Sequence, residues 1–351
     1  MDRSLISCAE ALPHLEDFDA VVDVRSESEF AQDHIPGALN CPVLDDRERA
    51  QVGTEYKQES PFAARRHGAV LVARNIARHL ETSFTDKPRH WKPLVYCWRG
   101  GQRSGAMTHV LARIGWRARQ LEGGYRAYRR AVVQALIDLP PHFEFRVICG
   151  TTGSGKSRLL RALEQEGCQV LDLEALAHHR GSVLGSLPQM PQPSQKQFET
   201  RIWWRLRRFD PRRLVFVESE SRKVGDLRVP DALIERMRGS ACLRLELPLA
   251  ERIRLLRDEY LHLEQDRATL FTQLDCLLAL HGRDKVQSWK QLAERGAWAS
   301  LVERLLLDHY DPVYLRSIGR NFIRVADAPV IAPASASEDD FARLARAVAA
   351  P

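Results

Sequence analysis

The stretch that decides the fold runs from Phe145 to Leu163: FRVIC (145–149), then Gly150-Thr151-Thr152-Gly153-Ser154-Gly155-Lys156-Ser157, then RLLRAL (158–163). An apolar strand, a glycine loop and a helix with apolar positions 159, 160, 162 and 163 follow one another in the order that cradles phosphate. The glycines let backbone amides turn inward around phosphate oxygens, and the helix N-terminus adds partial positive charge. Lys156 neutralises the outer phosphate, and Ser157 can ligand a divalent cation such as magnesium. The loop does not say whether the diphosphate belongs to a nucleotide, and no conventional adenine- or guanine-recognition stretch stands out.

A later strand, LVFVE, ends at Glu218, where an acidic residue would help to hold the metal; a capping or salt-bridged carboxylate is the alternative reading. His178-His179-Arg180-Gly181-Ser182 follows the next strand, with Arg180 a candidate for phosphate or substrate. Paired loop histidines without a third ligand at suitable spacing read as exposed and inert.

Strand candidates at Phe143–Cys149, Cys168–Leu171, Leu214–Val217, Leu243–Leu247 and Phe322–Val325 alternate with helical stretches, which predicts an α/β domain of P-loop NTPase-like type over 142–351. Within it, 249–307 is helical and densely charged, a helical insertion in the position of a lid, with Arg252, Arg254 and Arg257 as candidates to close over diphosphate. Three prolines in GSLPQMPQPSQ (185–195) make a loop that can cover a site. Upstream, Pro140-Pro141 interrupts any helix and marks the boundary of a first α/β domain over 1–138. Its strand candidates are Asp19–Val24, Leu94–Tyr96 and Ala118–Leu121, and His67-Gly68 reads as loop.

In that first domain the strand LVY runs into Cys97-Trp98-Arg99-Gly100-Gly101-Gln102-Arg103-Ser104, after which Ala106, Met107, Val110, Leu111 and Ile114 mark one helix face. A thiol at the mouth of such a loop is surrounded by inward amides and a helix dipole, which favour thiolate and suit a bound anion. The other reading, a buried strand-end cysteine acting as a small hydrophobe, does not account for the glycines and Arg103.

The whole chain of 351 residues is too long for one small module and, at 44% hydrophobic and 28% charged, too ordinary in composition for disorder. Lys plus Arg exceed Asp plus Glu by 52 to 46, a mild excess that permits a polyanionic partner. Seven cysteines at 8, 41, 97, 149, 168, 242 and 276 show neither a Cys-x-x-Cys pair nor zinc spacing, so a reducing cytoplasm fits best. No run of about 18 apolar residues indicates a membrane span or an export signal.

Asp23-Val-Arg25-Ser-Glu-Ser-Glu29-Phe, His34-Ile-Pro-Gly-Ala-Leu-Asn40 and Leu121-Glu-Gly-Gly-Tyr125 resemble the rhodanese signature, which together with YCWRGGQRS covers roughly the first 130 residues. The resemblance implies that Cys97 carries sulfur as a persulfide, with Arg103 closing the loop. Five residues separate Cys97 from Arg103, one more than sulfurtransferase loops commonly have, so the loop also resembles that of rhodanese-fold phosphatases.

With HHRGS (178–182), PQPSQKQFE (191–199) and VESES (217–221), the pairing of a rhodanese-like and a P-loop domain resembles the tRNA 2-selenouridine synthase family. That resemblance implies a transferase that geranylates wobble 2-thiouridine of tRNA with geranyl diphosphate, then replaces the geranylthio group by selenium from selenophosphate. A selenophosphate-supplying enzyme is a partner it would imply. For tRNA contact, Arg201–Arg208 and Tyr125–Arg130 interleave basic and aromatic residues; half-buried helix positions for Trp203 and Trp204 and solvated arginine faces are the alternative reading. An ATP-dependent kinase fused to a sulfurtransferase, a nucleotide-gated binding module and a rhodanese-fold phosphatase stay open as rivals.

Overall fold

A computed structural model describes residues 4–182, 184–187 and 190–350. The chain divides into two compact units, Met1–Ala135 with Glu199–Arg201, and Leu136–Phe198 with Ile202–Pro351. The division in sequence falls within the helix Gly124–Asp138, just ahead of a short 3-10 turn at Pro140–His142.

The first unit is a five-stranded parallel sheet of β1 (Leu5–Ile6), β2 (Ala20–Asp23), β3 (Leu39–Asn40), β4 (Pro93–Tyr96) and β5 (Arg119–Leu121), in the order β1-β5-β4-β2-β3. Every residue of β4 is buried, as expected of a strand covered by helices on both faces. Val22, Val95, Met107, Leu111, Phe84 and Trp91 form the core beneath it. The order reverses between β2 and β4, and ligands of open parallel sheets gather at the carboxyl ends of strands at such a reversal. Asp23 closes one of these two strands and Cys97 follows the other. His67 and Gly68, read as loop, instead lie inside the helix Pro61–Thr82, with Gly68 packed on Val52 and His67 Nδ1 2.9 Å from Glu55.

The second unit has the parallel order β12-β11-β6-β8-β7, where β6 is Phe145–Cys149, β7 Gln169–Leu171, β8 Val215–Glu218, β11 Ala241–Leu245 and β12 Val330–Ile331. An antiparallel pair, β9 (Lys223–Val224) and β10 (Leu227–Arg228), stands apart. The strand expected at Phe322–Val325 is not one. Those residues form the turn that ends the helix Asp311–Asn321: the Phe322 amide caps Ile318, Phe322 is buried and Ile323 is exposed. The sheet edge is taken by Val330–Ile331, paired with Arg244 and Leu245.

Expected helicity over 249–307 is present as six helices between Leu249 and Leu305, and it continues through a π turn at Leu306–Tyr310 to Asn321. Leu263, Leu270, Leu274, Trp289, Leu301 and Leu305 give these helices a core of their own. Of the loop expected over 185–195, residues 188 and 189 lie outside the described residues; Ser186 makes an isolated bridge to His179.

The first unit is braced by a buried ion pair. Arg25 donates to Asp23 at 2.6 Å and to the Asp33 carbonyl at 2.7 Å, and its guanidinium lies 4.0 Å from the centre of the Tyr125 ring. Removing one member of a buried pair leaves the other charge uncompensated. Arg25→Ala is therefore expected to cost about 3–5 kcal/mol, whereas Arg49→Ala, which removes a half-exposed partner of Glu29, costs no more than about 1 kcal/mol. Denaturant unfolding of both variants, read against the parent protein, checks the contrast.

Candidate functional site

Cys97 sits at the carboxyl end of β4, 3% exposed, and the helix Gln102–Ile114 begins five residues later. Burial pushes the thiol up, but hydrogen bonds from the Ser104 hydroxyl and amide, the nearby Arg103 charge and the Gly101 amide outweigh it, so its pKa falls below the ordinary value. The Ser104 hydroxyl donates to Sγ at 3.2 Å. The cradle is fastened to the chain that follows β5: Tyr125 N–H donates to the Cys97 carbonyl at 2.8 Å and Arg126 N–H to the Trp98 carbonyl at 3.1 Å.

Gly124 is required there. A β-carbon on it would stand 2.2 Å from the Cys97 carbonyl oxygen and 2.5 Å from the Gly100 nitrogen. Gln120 holds the other side, donating to the Gly100 carbonyl at 2.6 Å. Trp98 stacks on Tyr125, Arg99 and Gln102 are exposed, and Arg103 is paired with Glu29 at 2.9 Å. An open cleft is lined by Glu29, Arg49, Tyr56, Trp98 and Arg103. Sequence reading passed over Ser104, Gln120 and Glu29 as functional groups; the signal available was that Ser104 falls within the first turn of the helix that follows the loop.

In the second unit Gly150 follows β6, and the loop turns through Gly153 and Gly155, both at positive φ, into the helix Lys156–Gln165. A β-carbon on Gly155 would lie 2.3 Å from the Phe341 ring, so no other residue fits this turn. Lys156 Nζ donates to the Gly150 carbonyl at 2.9 Å, and the Gly150 amide donates to the Tyr314 hydroxyl at 2.6 Å. Arg252 holds the loop from behind: its guanidinium donates to the Thr152 carbonyl at 2.8 and 2.9 Å and to Asp311 at 2.6 Å. Of the three arginines expected near diphosphate, Arg252 alone binds the loop. Arg254 pairs with Glu251 and Arg257 with Glu264, both on the surface.

A cavity of ≈ 620 Å³ opens over this loop, walled by Lys156, Ser157, Arg158, Arg180 and Tyr314 among others. Arg180 donates to the Glu259 carbonyl and its guanidinium stands 4.7 Å from the Tyr260 ring. His179, expected to be exposed, is buried, and its Nδ1 accepts from the Gly181 amide at 3.1 Å. His178 turns through positive φ and has its Nδ1 3.2 Å from the Pro191 carbonyl.

Carboxylates gather at the ends of β7 and β8. Glu174 Oε2 accepts from the Ser157 hydroxyl at 2.9 Å, and Glu218 Oε1 accepts from the Glu174 amide at 2.8 Å. Burial, then the neighbouring Asp172, Glu174 and Glu220, raise the Glu218 carboxyl well above its usual range. Burial and Glu174 push Glu220 up to about 8. It is thus Glu174, from the Asp172-Leu-Glu174 turn after β7, that touches Ser157; Glu218 lies behind it. Among the described residues no three His, Cys, Asp or Glu side chains form a ready metal-binding group.

The aromatic members of the Tyr125–Arg130 segment are core residues, Tyr125 at 2% and Tyr128 at 0% exposure, and offer no face to a base. Trp203 is buried as well, whereas Trp204 is half-buried with the Arg207 and Arg208 guanidinium groups 4.7 and 5.1 Å from its ring. Among the described residues no helix is long and apolar enough to cross a membrane.

Comparison with known proteins follows the same division. A rhodanese-like domain model matches residues 7–131 and a tRNA 2-selenouridine synthase AAA domain model residues 143–295. The chain is 32% identical over 345 residues to a tRNA 2-selenouridine synthase of Bdellovibrio bacteriovorus, covering 87% of this chain and 90% of the relative. To that of a Sulfurovum species it is 32% identical over 352 residues, covering 90% and 95%. The synthase of Nitrosomonas europaea is 36% identical over 245 residues, 69% of this chain and 63% of the relative. With both motif-bearing units matched in order and along most of their length by such relatives, the chain belongs to the tRNA 2-selenouridine synthase family.

Proposed function

We propose that this chain is a cytoplasmic transferase that converts 2-thiouridine at the wobble position of tRNA into 2-selenouridine, by S-geranylation with geranyl diphosphate and then selenium substitution from selenophosphate. In the first step the thiocarbonyl sulfur gives an electron pair to C1 of geranyl diphosphate, the C1–O bond breaks, and diphosphate leaves with its electrons. In this reading Gly150–Ser157 take up that charge through loop amides, the N-terminus of the helix Lys156–Gln165 and the Lys156 ammonium, which in the structure donates to the Gly150 carbonyl. Arg180, on the wall of the same cavity, is a further contact for substrate.

The Ser157 hydroxyl beside Glu174, with the buried Glu218 Oε2 lacking a partner behind it, fits magnesium as an additional ligand of the departing diphosphate. When bound, it supplies Lewis-acid stabilisation of the leaving group, with Ser157 and Glu174 as the residues to hold it.

Alkylation turns the base sulfur into a leaving group. In the second step selenium attacks C2, the geranylthiolate departs and takes a proton, and water cleaves the P–Se bond to release phosphate. Trp98–Gln102 form the selenium-donor loop, with Cys97 and Arg103 at its two ends. The observation that carries the reading is the presence, in a chain of this family, of both an unbroken diphosphate loop and a thiol held toward thiolate by Ser104.

Two measurements test it. Nucleosides from 2-thiouridine tRNA incubated with the protein, geranyl diphosphate, magnesium and selenophosphate should contain geranylthiouridine and selenouridine by mass spectrometry. Lys156→Ala should lower geranylation at least about a hundredfold; geranylated nucleoside accumulating without selenium product in Cys97→Ser would support a covalent selenium adduct on this residue. Selenouridine formed by Cys97→Ser would exclude a covalent selenium adduct on this residue, and ATP consumption with unchanged tRNA would favour the kinase reading. Separately, the 240 nm thiolate absorbance lost in Cys97→Ser should titrate below the midpoint of an ordinary free thiol, and Ser104→Ala should move that midpoint upward because the thiolate loses its donor.

A further inference from the structure

Beside the cavity over the phosphate loop lies a second one, walled by Leu263, Leu270, Trp298, Leu301, Val302 and Leu305. Five residues, Thr152, Ser182, Leu256, Tyr260 and Tyr310, line both, so the two spaces adjoin. The apolar wall begins at the loop itself: Leu256 Cδ1 stands 2.8 Å from where a β-carbon on Gly153 would be. Charge is kept to the rim, where Arg257 and Glu264 satisfy each other at 3.0 Å. The far wall, from the helices Arg267–Asp275 and Trp298–Leu305, is aliphatic apart from the Trp298 ring.

A nucleoside would bring a ribose and a base whose donors and acceptors need partners, and burying them against leucine and valine is costly. A hydrocarbon attached to a diphosphate loses nothing polar there and gains by leaving water. We infer that this cleft receives the hydrocarbon tail of the diphosphate ester whose head the 150–157 loop binds, and that Leu301 and Val302 set the tail length it accepts. The inference rests on the prenyl diphosphate reading of that loop.

Calorimetric binding of inorganic diphosphate, dimethylallyl diphosphate and geranyl diphosphate to the full chain with magnesium tests it. Geranyl diphosphate is expected to bind on the order of a hundredfold more tightly than dimethylallyl diphosphate, from the extra apolar carbons buried. Val302→Trp, which fills the cleft, should remove at least about tenfold of that preference and leave inorganic diphosphate binding unchanged. Leu301→Ala, which enlarges the cleft, should raise affinity for farnesyl relative to geranyl diphosphate, and it carries the test if the tryptophan variant fails to fold. If the parent prefers geranyl diphosphate but neither variant alters that preference, the tail lies elsewhere and the inference falls while the loop reading stands. If the parent binds geranyl diphosphate no more tightly than inorganic diphosphate, and Lys156→Ala abolishes both, the tail site falls and the diphosphate loop stands. Binding of neither, or binding indifferent to Lys156→Ala, overturns the loop reading and the inference with it.

Discussion

A central parallel strand, buried on both faces by helices and flanked on both edges by neighbours, leaves one place where a ligand can meet the chain: its carboxyl end. That constraint governs both units. Cys97 follows β4 and Gly150 follows β6, each strand paired on both sides, and in each unit the chain turns from the strand through glycines into a helix whose N-terminus faces the turn. The chemistry differs because of what the turn carries. In the first unit the turn carries a thiol whose surroundings favour its thiolate form; in the second, on the proposed reading, the negative charge belongs to the ligand. The same amides and helix dipole serve both.

The surroundings of the two turns follow from that difference. Around Cys97 the nearby groups are donors, namely the Ser104 hydroxyl, the Ser104 and Gly101 amides and the Arg103 guanidinium. Around the phosphate loop the protein sets Lys156, Arg158 and Arg180 in the same cavity as Glu174 and Glu220. Burial pushes the Glu174 and Glu220 carboxyls up, while the Lys156 charge acts on both in the opposite direction. Glu174 couples the two features, since the Ser157 hydroxyl donates to it and Glu218 accepts its amide.

Most of what was legible in the sequence is local. A strand, a glycine turn and a helix lie within about twenty consecutive residues, so both loops and the α/β class could be read directly, and the observed matches bear the class out. What was illegible depends on partners distant in the chain. Nothing near Arg252 announces that it binds Thr152 and Asp311, and nothing near Tyr125 announces that it covers the Arg25 guanidinium rather than facing solvent. Phe322–Val325 alternates like a strand, but pairing needs an open neighbour, and the edge beside β11 is occupied by Val330–Ile331. His67-Gly68 interrupts helical propensity without ending the helix, because packing of residue 68 against Val52 tolerates no larger side chain without a shift.

The helical segment after β11 follows from the same distinction between local pattern and distant contact. Its sequence suggests a lid, a set of charged helices free to swing over the phosphate loop. Yet Arg252 on its first helix is buried against the Thr152 carbonyl, and its counter-ion Asp311 belongs to its last. Lifting the segment away would break both hydrogen bonds from the Arg252 guanidinium to the Thr152 carbonyl, while the pair with Asp311 would travel with it. The two ends of the segment are therefore pinned to the loop they flank, and the Tyr314 hydroxyl adds a third tie through the Gly150 amide. The middle helices, between Leu261 and Leu305, pack on one another in a core of their own, and residues of that core wall the apolar cleft. The ties between this segment and the phosphate loop are thus carried by its first and last helices, through Arg252 and Tyr314, and not by the charged surface that makes it look like a lid.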